Sequence, residues 1–165
     1  MTMLLFPELE LKVGGAVFSE DRIYRYTLWR KVGESDRAVS FVCLNPSTAT
    51  ETTNDPTVRR CIRYARDWGF GHLYMLNLFG YRSTDPLGMK KIEDPIGPEN
   101  DYWIHKISHE ADLTIAAWGV HGDYLGRDME VIPLLKDPHC LAKTKDGRHP
   151  RHPLYLKASL KPRKL

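Results

Sequence analysis

Two asparagines, a glycine and a histidine stand where apolar runs of this sequence end. Asn45 follows the run AVSFVCL, and Asn77 lies near the end of HLYMLNL. Gly119 follows DLTIAAW, and His152 lies beyond HCLAKT in the stretch RHPLYL. Amide and imidazole groups both donate and accept hydrogen bonds, and histidine also exchanges a proton near neutral pH. These residue types suit binding of, and chemistry on, a polar ligand.

The apolar runs predict strands, and the amphipathic segments between them predict helices. Apolar and polar residues alternate over 22–31, and this stretch is rich in aromatic residues, which together predict a half-buried strand. Continuous apolar runs predict covered strands at 38–44, 72–78, 112–118 and 139–144. Helices are predicted at 55–69, 99–111 and 124–135, the first with Asp55 as N-cap and Pro56 at its first position. The alternation predicts an α/β fold with a central, mostly parallel four-stranded sheet, helices on both faces and an N-terminal edge strand.

In an open α/β sheet, ligands bind at the carboxyl ends of the strands. We therefore expect Asn45, Asn77, Gly119 and His152 to converge on one crevice. Each has a simpler interpretation, since the asparagines could only hold turns or loops, the glycine could only permit a turn, and the histidine could lie on the surface. Asp55 is interpreted as a helix cap rather than as a catalytic carboxylate.

The charge is distributed unevenly along the chain. Residues 141–165 hold eight Lys or Arg and one Asp, a net charge of +7, so the other 140 residues carry −4 to give the total of +3. A basic segment on a mildly acidic body suggests an anionic partner, with nucleic acid first and DNA favoured over RNA. The alternative is a solvated basic tail without a partner.

Composition and cysteine spacing narrow the class of protein. The 165 residues are 42% hydrophobic and 27% charged, which predicts one globular domain over 1–165, with residues 1–20 as an N-terminal extension and 158–165 as a basic tail. The three cysteines have no metal-ligand spacing, so buried thiols in a reducing compartment are expected, with no metal and no cofactor. Without an 18-residue apolar run or a basic leader, a cytoplasmic monomer away from membranes is expected.

Four segments, taken in order, resemble motifs of the uracil-DNA glycosylase superfamily: CLNPST, YMLNLFGYRSTDP, TIAAWG and RHPLYL. Residues 22–157 also resemble the family catalogued as domain of unknown function 1643, through YRY, LNPSTA, NDPT, NLF, AWG and HPLYL. The first resemblance implies a three-layer α/β/α sandwich. It also implies a DNA glycosylase-like hydrolase that removes a modified or damaged pyrimidine by water attack at the N-glycosidic bond.

The glycosylase resemblance also implies roles for individual residues. Asn45 would orient the water through its amide oxygen, since position 45 is not the Asp of the main uracil branch. His152 would stabilise charge on the leaving base, Asn77 would bind the edge of the base, and Phe79 would stack on it. The other expected substrate contacts are Pro46, Ser47, Thr48 and Gly119. The expected contacts to the nucleic-acid backbone are Arg82, Arg151, Lys143, Lys145 and Lys157.

Two other functions fit the same residues. A non-catalytic protein on this fold could bind nucleotide or nucleic acid through Asn77 and the basic rim. A phage or defence interaction module could retain the crevice without using it. Enzymatic activity is therefore one of three hypotheses at this point.

Overall fold

The computed structural model describes residues 14–165, which form a mixed sheet and α-helices. The seven strands are β1 (Gly14–Phe18), β2 (Arg25–Lys31), β3 (Ala38–Cys43), β4 (His72–Asn77), β5 (Leu113–Ala116), β6 (His139–Cys140) and β7 (Arg163–Lys164). The four α-helices are α1 (Pro56–Asp67), α2 (Pro86–Met89), α3 (Asn100–Glu110) and α4 (Arg127–Val131). Short 3-10 helices cover Val120–Gly126, Ile132–Leu134 and Pro153–Tyr155.

The sheet has the strand order β1-β2-β4-β3-β5-β6-β7. Strands β4, β3, β5 and β6 run parallel to one another. Strands β1 and β2 are antiparallel on one side, and β7 is antiparallel on the other. The α/β class predicted from the sequence is confirmed, and the sheet is larger than the expected one.

One detail of the predicted sheet is wrong. Strand β2 does not lie at the edge, because it pairs with β4 on one side and with β1 on the other. Within the basic segment 158–165, β7 pairs with β6. Strand β1 falls inside the predicted N-terminal extension, of which residues 1–13 lie outside the described part of the chain. Strand order depends on contacts distant in sequence, which periodicity does not report.

The helix predictions hold best where local signals are strong. Helix α1 has Asp55 as its N-cap, accepting a 2.9 Å hydrogen bond from the Val58 N–H, and Pro56 at its start. Helix α3 agrees with the prediction at 99–111. The predicted helix at 124–135 is broken, because Leu125 and Gly126 have φ values of 57° and 66°, which interrupt an α-helix.

Buried residues form two clusters that follow the alternation of the strands. In β3, Val39 and Phe41 belong to the cluster that contains the buried face of α1, whereas Val42 belongs to the cluster that contains buried residues of α3 and α4. The three cysteines are buried free thiols, as expected. Within residues 14–165, no helix combines the length and apolar character needed to cross a membrane.

Arg30 connects the loop between β3 and α1 to the sheet through hydrogen bonds. Its guanidinium makes five hydrogen bonds, at 2.6 to 3.3 Å, to Asn54 Oδ1 and to the backbone oxygens of Gly15, Trp29, Thr50 and Thr53. A guanidinium has five N–H donors, so this side chain uses its full capacity. The loop that leads to α1 is thereby held against β1 and β2.

We expect Arg30→Gln to destabilise the fold by about 3 kcal/mol, because several buried carbonyl oxygens lose a charged donor. Urea unfolding followed by circular dichroism measures this change. The matched control is Arg63→Gln, an exposed residue of α1 whose 3.8 Å pair with Asp67 should contribute about 0.5 kcal/mol or less. Equal effects of the two substitutions would contradict the role given to Arg30.

Candidate functional site

A cavity of about 530 Å³ opens beyond the carboxyl ends of β3 and β5. Its walls come from the segments that follow these two strands, the start of α1, the loop that follows β4 and the turn around His152. The polar side chains on the walls are Asn45, Ser47, Asp55, Thr57, Ser83, Thr84, His121 and His152. Its size and mixed lining are those of small-molecule sites.

Backbone pairing explains why separate segments meet here. Parallel register places Cys43 of β3 opposite Asn77 of β4, so both strands end at the same edge. The segment before His152 folds back on the chain that follows β6, since the Arg151 N–H donates to Ala142 O. The Gly119 N–H donates to Pro150 O, which joins the loop after β5 to the same segment. His152 is therefore carried to the cavity by a turn rather than by a strand end.

Asn45 is held in a defined orientation on the cavity wall. Its Nδ2 donates to Ser83 O at 2.8 Å and to Pro46 O at 3.1 Å. Both partners are carbonyl oxygens, so the amide nitrogen must face them and the assignment of Nδ2 and Oδ1 is fixed. Within residues 14–165, no group donates to Oδ1. An oriented acceptor therefore remains for a ligand or a water molecule.

His152 is neutral and oriented by the backbone. Its Nδ1 accepts a 3.2 Å hydrogen bond from the Leu154 N–H, so the proton of the neutral ring lies on Nε2. Burial lowers the pKa of His152 below its ordinary value of 6.5, and the nearby charge of Asp55 acts in the opposite direction. The ring therefore presents an Nε2–H donor at neutral pH. Its neighbour is Tyr155, whose ring centroid lies 5.9 Å away.

Asp55 is both the cap of α1 and a wall of the cavity. Its Oδ1 accepts from the Val58 N–H, and its Oδ2 accepts from the Ala49 N–H at 3.3 Å. It is the one carboxylate that lines this cavity in the described part of the chain. Because each carboxylate oxygen has a second lone pair, capping leaves acceptor capacity for a water molecule. The helix-cap interpretation is thus confirmed, and the same carboxylate can also accept a hydrogen bond from the cavity.

A second, deeper cavity of about 30 Å³ lies against the first. Asn45, Ser47, Asp55, Thr57 and His152 line both. Only the deeper one is lined by Asn77 and Arg25, whose exposed fractions are 1% and 2%. The Asn100 side chain donates to Asn77 O and Leu78 O, both at 3.0 Å, which fixes the backbone at the end of β4.

The structure brings together most of the predicted ligand contacts. Asn45, Ser47, Gly119 and His152 line the main cavity, and Pro46 and Asn77 line the deeper one.

The remaining predicted contacts lie elsewhere. Phe79 is fully buried against Tyr124, 5.7 Å away between ring centroids, and lines neither cavity. Thr48 is exposed outside both cavities, and Thr50 and Thr53 bond each other through their hydroxyls. Thr48, Thr50 and Thr53 therefore line neither cavity.

The predicted basic residues occupy different surroundings. Lys145, Arg151 and Lys157 are exposed, and the last two flank the turn that contains His152. Lys143 lines a separate cavity of about 110 Å³ with Arg148. Arg82 is partly buried, with its guanidinium 4.9 Å from the Phe18 ring centroid.

Besides the wall residues Thr57, Ser83, Thr84 and His121, sequence reasoning missed three side chains that bear on the chemistry of the site. Arg25 reaches it because β2 is antiparallel to β4, so β2 begins at the edge where β4 ends. Asp55 carries a capping signal in the sequence, and that signal does not reveal its place on the cavity wall. Tyr155, 76% exposed at the main cavity, offers the aromatic surface expected of Phe79. A charged residue in the aromatic stretch YRY was the available signal for Arg25.

Comparison with known proteins places the chain in a family. A family model described as "Protein of unknown function (DUF1643)" matches residues 25–154. The chain belongs to this family. The matched region begins at Arg25 and contains every wall residue of both cavities except Tyr155. Neither the search of curated proteins nor the search of solved structures found a match.

The types of side chain at the site determine whether it could bind a metal ion. Between positions 14 and 165, no three His, Cys, Asp or Glu side chains are grouped so as to hold a metal ion. The polar groups of the residues that line the cavities are amides, hydroxyls, imidazoles, the Trp118 indole, the Cys43 thiol, one carboxylate and one guanidinium. Hydrogen bonding and proton exchange are the chemistry that these side chains support.

The lowered pKa of His152 predicts a pH dependence of stability. Since the folded state disfavours the protonated ring, this contribution is present above the ordinary pKa of 6.5 and is lost as the pH falls below it. In thermal unfolding, the wild type should lose more Tm between about pH 7.5 and about pH 5.5 than His152→Asn does. Asn keeps an acceptor for the Leu154 N–H and does not titrate, so equal pH profiles would refute a buried neutral His152.

Proposed function

We propose that this protein is a hydrolase that breaks an N-glycosidic bond and releases a modified or damaged pyrimidine base from DNA. The reaction is suggested by the order of four motifs that resembles that of the uracil-DNA glycosylase superfamily. Its support in the structure is the oriented amide of Asn45, which has a free Oδ1 and lines a cavity together with Asp55 and His152. Under this proposal the seven-stranded sheet and its helices form a three-layer sandwich of the uracil-DNA glycosylase type.

Breaking an N-glycosidic bond requires an attacking water and stabilisation of the departing base. The water oxygen forms a bond to C1′ of the sugar, and the C1′–N bond breaks with its electron pair leaving on the base. Asn45 Oδ1 accepts a hydrogen bond from this water and orients it, but an amide cannot take its proton. Asp55 is the group with the capacity to receive that proton.

The departing base carries negative charge as the bond breaks. His152 is suited to stabilise this charge because its Nε2–H is a donor while its Nδ1 is occupied by the Leu154 N–H. Tyr155, exposed beside His152, offers a ring on which an extruded base can stack. Phe79 has no such role here, because it is fully buried in the core.

The nucleic acid would approach along the surface that carries Arg151 and Lys157. Both are exposed, and both belong to the segment that delivers His152 to the cavity. Contacts from such residues to phosphates hold a strand in register without selecting its sequence. Base selection would then depend on the two cavities.

Base release tests the reaction directly. The wild type is incubated with duplex and single-stranded oligonucleotides that carry a panel of modified bases, and free base and abasic sites are measured by mass spectrometry. Asn45→Ala should lower the rate of release by roughly 100-fold, because the attacking water loses its orienting acceptor.

The matched control is Thr48→Ala, in the same loop but exposed and outside both cavities, which should retain the wild-type rate. Thermal unfolding of both variants separates loss of chemistry from loss of fold. Binding of nucleic acid without base release from any member of the panel would contradict the hydrolase and favour a nucleotide-binding protein.

The basic approach surface predicts a salt-dependent affinity for DNA. The double variant Arg151→Gln, Lys157→Gln should weaken binding and lower the slope of log K against log[salt] by about 2, since two phosphate contacts are lost. Fluorescence anisotropy at several salt concentrations measures both quantities. The control pair Lys31→Gln, Arg37→Gln lies near the amino ends of β4 and β3, at the opposite edge of the sheet, and should leave the slope unchanged. The same slope in both double variants would show that DNA does not use this surface.

A further inference from the structure

Arg25 is a buried cation whose hydrogen-bonding capacity is largely unused. Its exposed fraction is 2%, and within residues 14–165 no carboxylate lies within 4.0 Å of its guanidinium. The structure gives the guanidinium one hydrogen bond, from Nη1 to Ala49 O at 3.1 Å. Its Nε–H is buried without a partner among the described residues. Buried charges are ordinarily paired, so this arrangement requires an explanation.

Arg30 in the same strand shows what a structural arginine looks like in this protein. Arg30 uses five hydrogen bonds to hold the loop after β3, whereas Arg25 makes one. A β-bulge accounts for the position of Arg25, because Val17 lies opposite Thr27 and Phe18 lies opposite Arg25, which leaves one extra residue in β2. Bulges change the direction of neighbouring side chains and are frequent beside functional sites.

A second residue that lines the same small cavity also has an unpartnered donor. Asn77 Nδ2 is buried without a partner in the described part of the chain, and Asn77 and Arg25 both line the deeper cavity. Both unused groups are N–H donors, so together they suit an acceptor atom rather than another donor. At about 30 Å³, the cavity admits a group of the size of a water molecule or a single substituent.

The local charge favours an anion. The charges of Asp55, Arg30 and Arg82 act on Arg25, and of these only Asp55 is negative. A second carboxylate, Glu51, acts on Arg30 but is paired with Arg22. Burial lowers the pKa of Arg25 to about 10, so it stays protonated at neutral pH. A negatively charged or strongly accepting oxygen would satisfy both unused donors and offset the buried charge.

We infer that Arg25 and Asn77 form an oxygen-binding subsite beneath the main cavity, which receives a keto or anionic oxygen of the ligand. This inference rests on the proposed function only in that the ligand enters the same cavity. If a base is released, negative charge that develops on one of its oxygens is stabilised here by donors already in position. If the ligand itself carries a carboxylate, the same donors bind it before any reaction.

Formate and formamide are small probes that can each place one oxygen in the deeper cavity, one probe being anionic and the other neutral with a carbonyl oxygen. Each is titrated into the ¹⁵N-labelled wild-type protein at constant ionic strength, and the side-chain Nε–Hε resonances of Arg25 and Arg30 are followed by NMR. Arg25→Gln and Arg30→Gln assign the two resonances. The Arg25 resonance should shift and saturate, with a Kd of roughly 1 to 100 mM given the limited binding free energy available to a three-atom ligand. The Arg30 resonance should stay in place because its five donors are occupied.

Asn77→Leu tests the contribution of the second donor, because leucine has a similar size and no hydrogen-bond donor. It should weaken formate binding by about tenfold or more, which corresponds to the loss of one good hydrogen bond. An unchanged Arg30 resonance in this variant shows that the fold is retained. Saturation with formate alone supports a subsite for a charged group, and saturation with both probes supports a subsite for any acceptor oxygen.

No saturable shift of the Arg25 resonance with either probe would overturn the inference, as would equal shifts of Arg25 and Arg30. Neither readout involves base release, so this experiment and the excision assay can fail independently. If the protein binds formate but releases no base, the result would support the subsite and contradict the proposed hydrolase reaction.

Discussion

The parallel pairing of β3 with β4 on one side and with β5 on the other determines which side chains can meet in this protein. Its register places Cys43 opposite Asn77 and Val42 opposite Ala116, so three strands end within about one residue of each other. The segments that follow therefore leave the sheet at one edge and form a large part of the walls of both cavities. A shift of one residue in either pairing would turn the inward side chains outward and remove the site.

Polar groups at this edge are satisfied mainly by the backbone, which leaves selected atoms available. The nitrogen of Asn45 is bound to two carbonyl oxygens, and its oxygen is not bound. His152 accepts from a backbone N–H at Nδ1 and keeps Nε2–H. Asp55 caps α1 through one oxygen and bonds Ala49 N–H through the other. This orientation by the backbone is what gives a cavity defined donors and acceptors before any ligand enters.

The two buried arginines of β2 show that the same residue type can either stabilise the fold or keep donors available for a ligand. Arg30 saturates its donors on loop carbonyls and so stabilises the approach to α1. Arg25 has the same charge and similar burial but one hydrogen bond. An incompletely paired buried charge lowers stability, and proteins retain such groups most often where they bind or react. The contrast supports the proposed subsite more strongly than the burial of Arg25 alone would.

The sequence by itself determined the α/β class, the position of α1 and the set of residues that end the strands. These depend on local signals, namely apolar runs, the Asp55-Pro56 start and Asn at the end of a buried strand, and such signals act over a few residues. Only the tertiary structure decided that β2 lies inside the sheet, that Arg25 reaches the site and that Phe79 does not. Those outcomes depend on strand order, on a bulge and on packing between segments far apart in the chain. None of these features produces a hydrophobic periodicity from which it could be predicted.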